Sequence, residues 1–174
     1  MEKRDEKKTR LQGQIRAVRS GNRTTILDAI KEIRADSSIS ILPELFDLLL
    51  DQEDEEIIHA TSSLLNDLKL KEAAQVLVGA IDDPTYNSIA KILVASCWQN
   101  GLSYGAYAES FARVAIEADY ETAFEAFTVL EEAVGELEEE ERAKLVKTVK
   151  HGLLKADDQK KLLLRELIKV IETY

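Results

Sequence analysis

Apolar residues along this chain recur at helical spacing, and short polar segments interrupt the pattern at regular distances. Leu11, Ile15 and Val18 are spaced i, i+4 and i+7, and a second set with the same spacing begins at Ile26. This spacing places apolar side chains on one face of an α-helix. The pattern continues to the end of the chain and therefore predicts an all-α protein.

Five polar segments mark predicted turns, at intervals of about 31 to 38 residues. Such a period is typical of stacked helical hairpins, in which each unit covers the apolar face of its neighbour. We therefore expect a single domain over residues 1–174, built as a right-handed α-solenoid of about five antiparallel hairpins at approximately 3–35, 40–68, 70–100, 104–135 and 138–173. The turns are Ser20-Gly21-Asn22, Asp51 to Asp54, Asp82-Asp83-Pro84, Ala118-Asp119 and Ala156-Asp157-Asp158.

Several residues give start and stop signals for these helices. Ser40 and Asp54 are predicted N-caps, because their side-chain oxygens can accept from the free N–H groups of a first turn. Gly21 and Gly101 are predicted to end helices.

One segment identifies a resemblance. Residues 54–64, which read DEEIIHATSSL, resemble the second helix of a HEAT repeat, with Asp54, a β-branched residue three positions later, then small residues and a Leu. Weaker similarity begins at Asp119 and at Asp157. The resemblance implies an α-solenoid that binds other molecules along its second helices, and it transfers no catalytic residue. HEAT repeats usually carry Arg where this chain has Ile58, so we do not expect their ladder of ion pairs.

Cysteine content and hydropathy predict a cytoplasmic protein. The single cysteine, Cys97, excludes an internal disulfide and fits a reducing compartment. The charged start lacks the apolar stretch of a secretory signal, and no apolar run approaches the ~20 residues that a membrane span requires. We expect no membrane association.

Charge is unevenly distributed along the chain. Residues 1–43 carry a net charge of +4, residues 44–141 carry −19 and residues 142–174 carry +5, which together give the chain's −10. In a solenoid this distribution becomes an acidic middle between two basic ends. Such a surface attracts basic partners and repels nucleic-acid phosphates. We therefore expect a basic protein partner and no nucleic acid.

Five residues on predicted second helices form the candidate binding site. Glu121, Glu125 and Glu132 recur on one side of their helix, and Glu56 and His59 do likewise on an earlier one. Together they are predicted to hold a basic peptide or helix. The alternative is that these acids form a solvated face that keeps the protein soluble.

An aromatic cluster near two glycines offers a second candidate surface. Trp98, Tyr104 and Tyr107 fall where one hairpin joins the next, and Trp and Tyr often anchor interfaces. The alternative is that these rings fill the core between repeats.

The sequence indicates no catalytic or metal site and no cofactor. The only histidines, His59 and His151, lie far apart, and Cys97 reads as a small core residue. Gly79 and Gly152 sit singly inside apolar helices, where close helix packing accounts for them.

These observations favour a non-catalytic interaction scaffold, either a monomer or a weak homo-oligomer. Two alternatives remain: a self-associating structural protein, and a HEAT-like enzyme such as an alkylpurine DNA glycosylase. The glycosylase reading requires a basic groove, whereas only the last second helix here is basic, with Lys160, Lys161, Arg165 and Lys169.

Overall fold

The computed structural model describes residues 2–36 and 38–174, and this part of the chain contains ten α-helices, four short 3-10 segments and no strand. The prediction of an all-α fold is confirmed. The helices are α1 (Glu2–Val18), α2 (Arg23–Asp36), α3 (Leu42–Leu50), α4 (Glu55–Asn66), α5 (Glu72–Ile81), α6 (Ala90–Asn100), α7 (Ala108–Glu117), α8 (Tyr120–Ala133), α9 (Glu139–Leu153) and α10 (Asp158–Thr173).

All five predicted turns interrupt the helices where the sequence placed them. Gly21 and Gly101 follow α1 and α6 with φ of +68° and +65°. Residues with a Cβ rarely adopt this left-handed conformation, which explains why glycine ends both helices.

The predicted cap at Asp54 is confirmed, and the one at Ser40 is wrong. The Asp54 carboxylate accepts from the backbone N–H groups of Glu56 at 3.0 Å and Ile57 at 3.2 Å. Residues Ile39–Ile41 instead form a 3-10 turn that leads directly into α3, and Ile41 occupies the N-cap position. This turn pairs the Leu42 N–H with a backbone carbonyl, so a side-chain cap from Ser40 is not required.

The chain divides into two compact units, residues 1–89 and 90–174, and the division falls inside the predicted third hairpin. In the first unit, α1 packs on α2 and α3, α4 packs on α2 and α3, and α5 packs on α3. The core side chains of this unit are almost entirely buried and include Ile30, Ile33, Leu42, Leu45, Phe46, Leu65 and Leu77.

Two arginines link α2 to α4 in the first unit. Arg23 Nε lies 2.8 Å from Asp54 Oδ2 at the start of α4, and Arg34 pairs with Asp67 just beyond its end. The two helices therefore run side by side in the same direction. These ion pairs differ from the HEAT ladder, in which the Arg would stand in the place of Ile58, because here α2 supplies the cations from other positions.

The second unit repeats this arrangement of neighbours. Helix α8 packs on α6, α7 and α10, while α9 packs on α7 and α10. Its core includes Leu93, Phe111, Leu130, Leu145, Leu164 and Leu167.

Candidate protein-binding surface

Helix α8 carries most of the candidate site and is positioned by a cap and a buried face of mostly small residues. Asp119 caps the helix, accepting from the backbone N–H of Thr122 at 3.0 Å and from its hydroxyl at 2.8 Å. These hydrogen bonds lower the pKa of Asp119. Small side chains let α8 approach both α6 and α7 closely. The buried residues are Thr122, Ala123, Ala126, Val129, Leu130 and Ala133.

The opposite face of α8 exposes an aromatic stripe made of Tyr120, Phe124 and Phe127. Phe124 is 49 % exposed and Tyr120 is 37 % exposed. The rings of Phe124 and Phe127 stack with their centroids 6.3 Å apart and their planes at 14°. The residues have the i, i+4, i+7 spacing that puts side chains on one helix face.

The spacing of Phe124 and Phe127 with Ala123 and Leu130 favours a buried stripe, but Phe124 is exposed and Phe127 is only half-buried. Alanines occupy much of the face of α8 that packs on its neighbours, and the two phenyl rings lie outside it. The alanines at 123, 126 and 133 were the signal that could have identified the true buried face.

An acidic row, consisting of Glu121, Glu125 and Glu132, flanks this stripe on the side of α8 that faces α6. Glu121 pairs with Lys91 of α6, and the hydrogen bond to this carboxylate raises the pKa of Lys91. Glu125 Oε2 accepts from Trp98 Nε1 at 2.7 Å. The structure thus brings the three predicted acids of α8 onto one surface together with Trp98.

A cavity of about 210 Å³ opens where α6 and α8 end. Trp98, Ser103, Tyr104, Val129, Glu132 and Glu136 are among the residues that line it. Glu136, in the 3-10 turn after α8, accepts from the Ser103 hydroxyl at 2.5 Å and from the Gly105 N–H at 3.1 Å. A Cβ at position 105 would lie 2.8 Å from Glu136 Cβ, so this close approach requires glycine. No local signal pointed to Glu136, because its partners lie more than 30 residues away in the sequence.

The three predicted interface aromatics have different environments. Trp98 is 37 % exposed, Tyr107 is half-buried, and Tyr104 is only 3 % exposed. The Tyr104 ring packs edge-on against Phe111 with centroids 5.4 Å apart, and its hydroxyl bonds Asn100. Burial raises the pKa of Tyr104. Tyr104 is therefore a core residue, and Trp98 is the most exposed of the three.

Glu56 and His59 lie on α4 of the first unit, where both are exposed. The Glu56 carboxylate is engaged by Arg23. Two turns beyond Glu56 on α4, Ser63 accepts from Arg34 at 3.0 Å. Helix α2 therefore already neutralises Glu56, the predicted acid of α4.

Cys97 lies in the core, as the sequence predicted. Its side chain is fully buried, and its Sγ lies 3.3 Å from the carbonyl oxygen of Leu93. Burial raises the pKa of the thiol to about 12, which leaves almost no nucleophilic thiolate near neutral pH.

The described residues offer neither a cluster of metal-ligating side chains nor a membrane-spanning helix. No group of three or more His, Cys, Asp or Glu side chains is arranged there to hold a metal ion. None of the described helices combines the length and the apolarity needed to cross a bilayer.

Comparisons with protein-family models, curated proteins and solved structures find no match for this chain.

Proposed function

We propose that this protein is a non-catalytic interaction module whose α8 surface binds a basic amphipathic segment of another protein. The observation that carries the proposal is the stacked Phe124–Phe127 pair beside the acidic row, with Phe124 exposed and Phe127 half-buried. An apolar side chain of the partner packs on the stacked rings. Its lysines and arginines face the acidic row, chiefly at Glu132, since Glu121 already pairs with Lys91 and Glu125 accepts from Trp98. The buried, protonated Cys97 favours a binding role over covalent catalysis.

The helix contacts support a HEAT-like stack of hairpins as the framework of this module. In each unit, a helix packs on its sequence neighbour and on the helix two places along the chain. Side-by-side helices in one direction, such as α2 and α4, are what repeated hairpins produce. The reducing compartment that a lone buried cysteine fits supports a cytoplasmic setting.

The two parts of the surface contribute differently to binding. Aromatic side chains dominate the energetics of many interfaces, so the affinity is expected to depend mainly on Phe124. Exposed ion pairs contribute about 0.2–1 kcal/mol each. The acidic row therefore accelerates association and selects basic partners more than it tightens the complex.

A synthetic amphipathic helix with a leucine stripe flanked by arginine and lysine tests the proposal. The control peptide has the same composition with its stripe scrambled. Titration into ¹⁵N-labelled protein should shift the amide resonances of α8 for the first peptide, more strongly at low salt, and much less for the scrambled one. Equal shifts for both peptides, or shifts confined to other helices, would contradict the proposal.

Matched variants test whether association depends on the acidic row or on the overall negative charge of the protein. The variant E121Q/E125Q/E132Q should slow association, whereas E53Q/E139Q/E140Q removes the same number of charges elsewhere and should leave it unchanged. Phe124→Ala should weaken binding and increase the rate at which the peptide dissociates. Sedimentation of the free protein shows whether the aromatic stripe is instead covered by a second copy of the chain, which would favour self-association.

A further inference from the structure

We propose that the cavity between the ends of α6 and α8 receives one arginine side chain of the bound segment. This inference rests on the proposed function, since the arginine belongs to the same basic partner. It adds a specific anchor to a surface that otherwise selects only by overall charge.

The size of the cavity fits a single side chain. Its volume of about 210 Å³ is below the ~300–1,000 Å³ of sites that hold drug-sized ligands. It opens at the end of the acidic row, because Glu132 belongs to both. A segment lying along α8 can therefore place one side chain in the cavity.

The charge of the cavity selects a cation. Glu132 and Glu136 line it, and no lysine or arginine does so among the described residues. Helices α6 and α8 both end here, and the carbonyl end of a helix carries partial negative charge. Glu136 retains acceptor capacity beyond its bonds to Ser103 and Gly105, since a carboxylate has about four lone-pair positions.

Trp98 makes arginine a better ligand than lysine. Trp98 is one of the residues that line the cavity, and the hydrogen bond from its indole N–H to Glu125 fixes the orientation of the ring before any ligand arrives. A planar guanidinium stacks on an indole and bonds a carboxylate through two N–H groups at once, whereas an ammonium acts as a point charge. Trp98 and the two glutamates are the lining residues that suit these two contacts.

The single tryptophan of the chain provides a direct readout. The probes are N-acetyl-arginine amide, the lysine equivalent and the citrulline equivalent, which has the shape of arginine without its charge. The Trp98 indole N–H resonance is followed in each titration. We expect a saturable shift with arginine, a smaller one with lysine and none with citrulline. Equal responses to arginine and citrulline, or an unmoved indole resonance, would overturn the proposal.

A pair of neighbouring glutamates supplies the matched variants. Glu132→Gln removes a carboxylate that lines the cavity, and Glu131→Gln makes the same change one residue away, outside it. The first should weaken arginine binding by up to about fivefold, the upper end for one partly exposed ion pair, and the second should leave it unchanged. Equal affinities for the two variants would reject the assignment.

The small probes also separate this proposal from the proposed function. Arginine binding at Trp98 without peptide binding to α8 would leave the cavity assignment intact and refute the wider surface. Peptide binding that leaves Trp98 unaffected and does not distinguish arginine from lysine would refute only the arginine cavity.

Discussion

Gly152 of α9 packs directly on the side chain of Ile116 at the end of α7. A Cβ atom at position 152 would lie 2.6 Å from Ile116 Cγ1 and 2.8 Å from both other branch atoms of that side chain. Because Gly152 is buried, Gly152→Ala must push these helices apart or force Ile116 into a poor rotamer. We expect a loss of about 1–3 kcal/mol in the free energy of unfolding, measured by urea denaturation.

Gly79→Ala is the control for this substitution and should have the opposite sign. Gly79 lies inside α5, is exposed, and has no atom within 4 Å of a Cβ placed there. The prediction of close helix packing at this glycine is therefore wrong. Alanine should stabilise the protein by about 0.5–1 kcal/mol by reducing the freedom of the unfolded chain. If both substitutions destabilised the protein, the loss at position 152 could not be assigned to its packing against Ile116.

The cap at Asp119 predicts a pH dependence that one variant can isolate. Hydrogen bonds to the carboxylate lower its pKa in the folded protein. The stabilisation that this carboxylate provides is therefore fully present above its pKa in the unfolded chain, which is about 3.9. It is lost as the pH falls through the lower pKa of the folded protein. Asp119→Ala should cost about 1 kcal/mol at neutral pH.

Asp119→Asn retains a capping oxygen but does not titrate. Its stability should match the wild type at neutral pH and decline less below about pH 4. Urea midpoints measured across this range test the prediction. An identical acid decline in both proteins would assign the loss to other carboxylates, such as Asp54 and Asp83, whose pKa values are also lowered.

The Arg34–Asp67 pair connects neighbouring helices but should add little stability. Both side chains are about half exposed, at 42 % and 56 %. A double-mutant cycle with Arg34→Met and Asp67→Asn should give a coupling of about 0.2–1 kcal/mol that shrinks in high salt. Pairing Arg34→Met with Glu53→Gln, which lies elsewhere, should show no coupling. A salt-independent coupling would indicate packing rather than charge.

Helix positions and turns could be predicted because they depend on local signals. Gly21, Gly101 and Asp54 act through their own backbone conformation or through neighbours in sequence, so their roles are visible in one chain. The predicted N-cap at Ser40 is wrong because residues Ile39–Ile41 form a 3-10 turn immediately before α3. Their sequence is equally compatible with an α-helix.

The candidate site was only partly predictable because it depends on partners far away in sequence. Helical spacing correctly grouped Glu121, Glu125 and Glu132. It could not show that Trp98 would bond Glu125 across 27 residues, or that alanines would displace Phe124 from the buried face. Both outcomes depend on which helices pack against α8, which is a tertiary property.

Cys97 should be chemically inert until the protein unfolds. Its thiol is fully buried and its pKa is raised to about 12, so both access and thiolate formation are blocked. An aromatic disulfide reagent should release no colour with native protein near neutral pH and one equivalent in denaturant. Rapid reaction of the native protein would place the thiol on an accessible surface.

Lys160 stabilises the end of α7 from a buried position. The sequence placed Lys160 on a basic surface, but its side chain is only 9 % exposed. Its Nζ donates to the carbonyl oxygens of Ile116, at 3.1 Å, and of Ala118. These carbonyls lie at the end of α7, where backbone acceptors lack helical partners.

Lys160→Met keeps the aliphatic stem and removes the donor, so it leaves two carbonyls unsatisfied and should cost about 1–3 kcal/mol. Lys161→Met, which removes an adjacent lysine paired with Asp158 within one helical turn, should change stability by less than about 0.5 kcal/mol. Thermal and urea unfolding of both variants distinguish the two roles. Equal effects would mean that Lys160 contributes only through its charge.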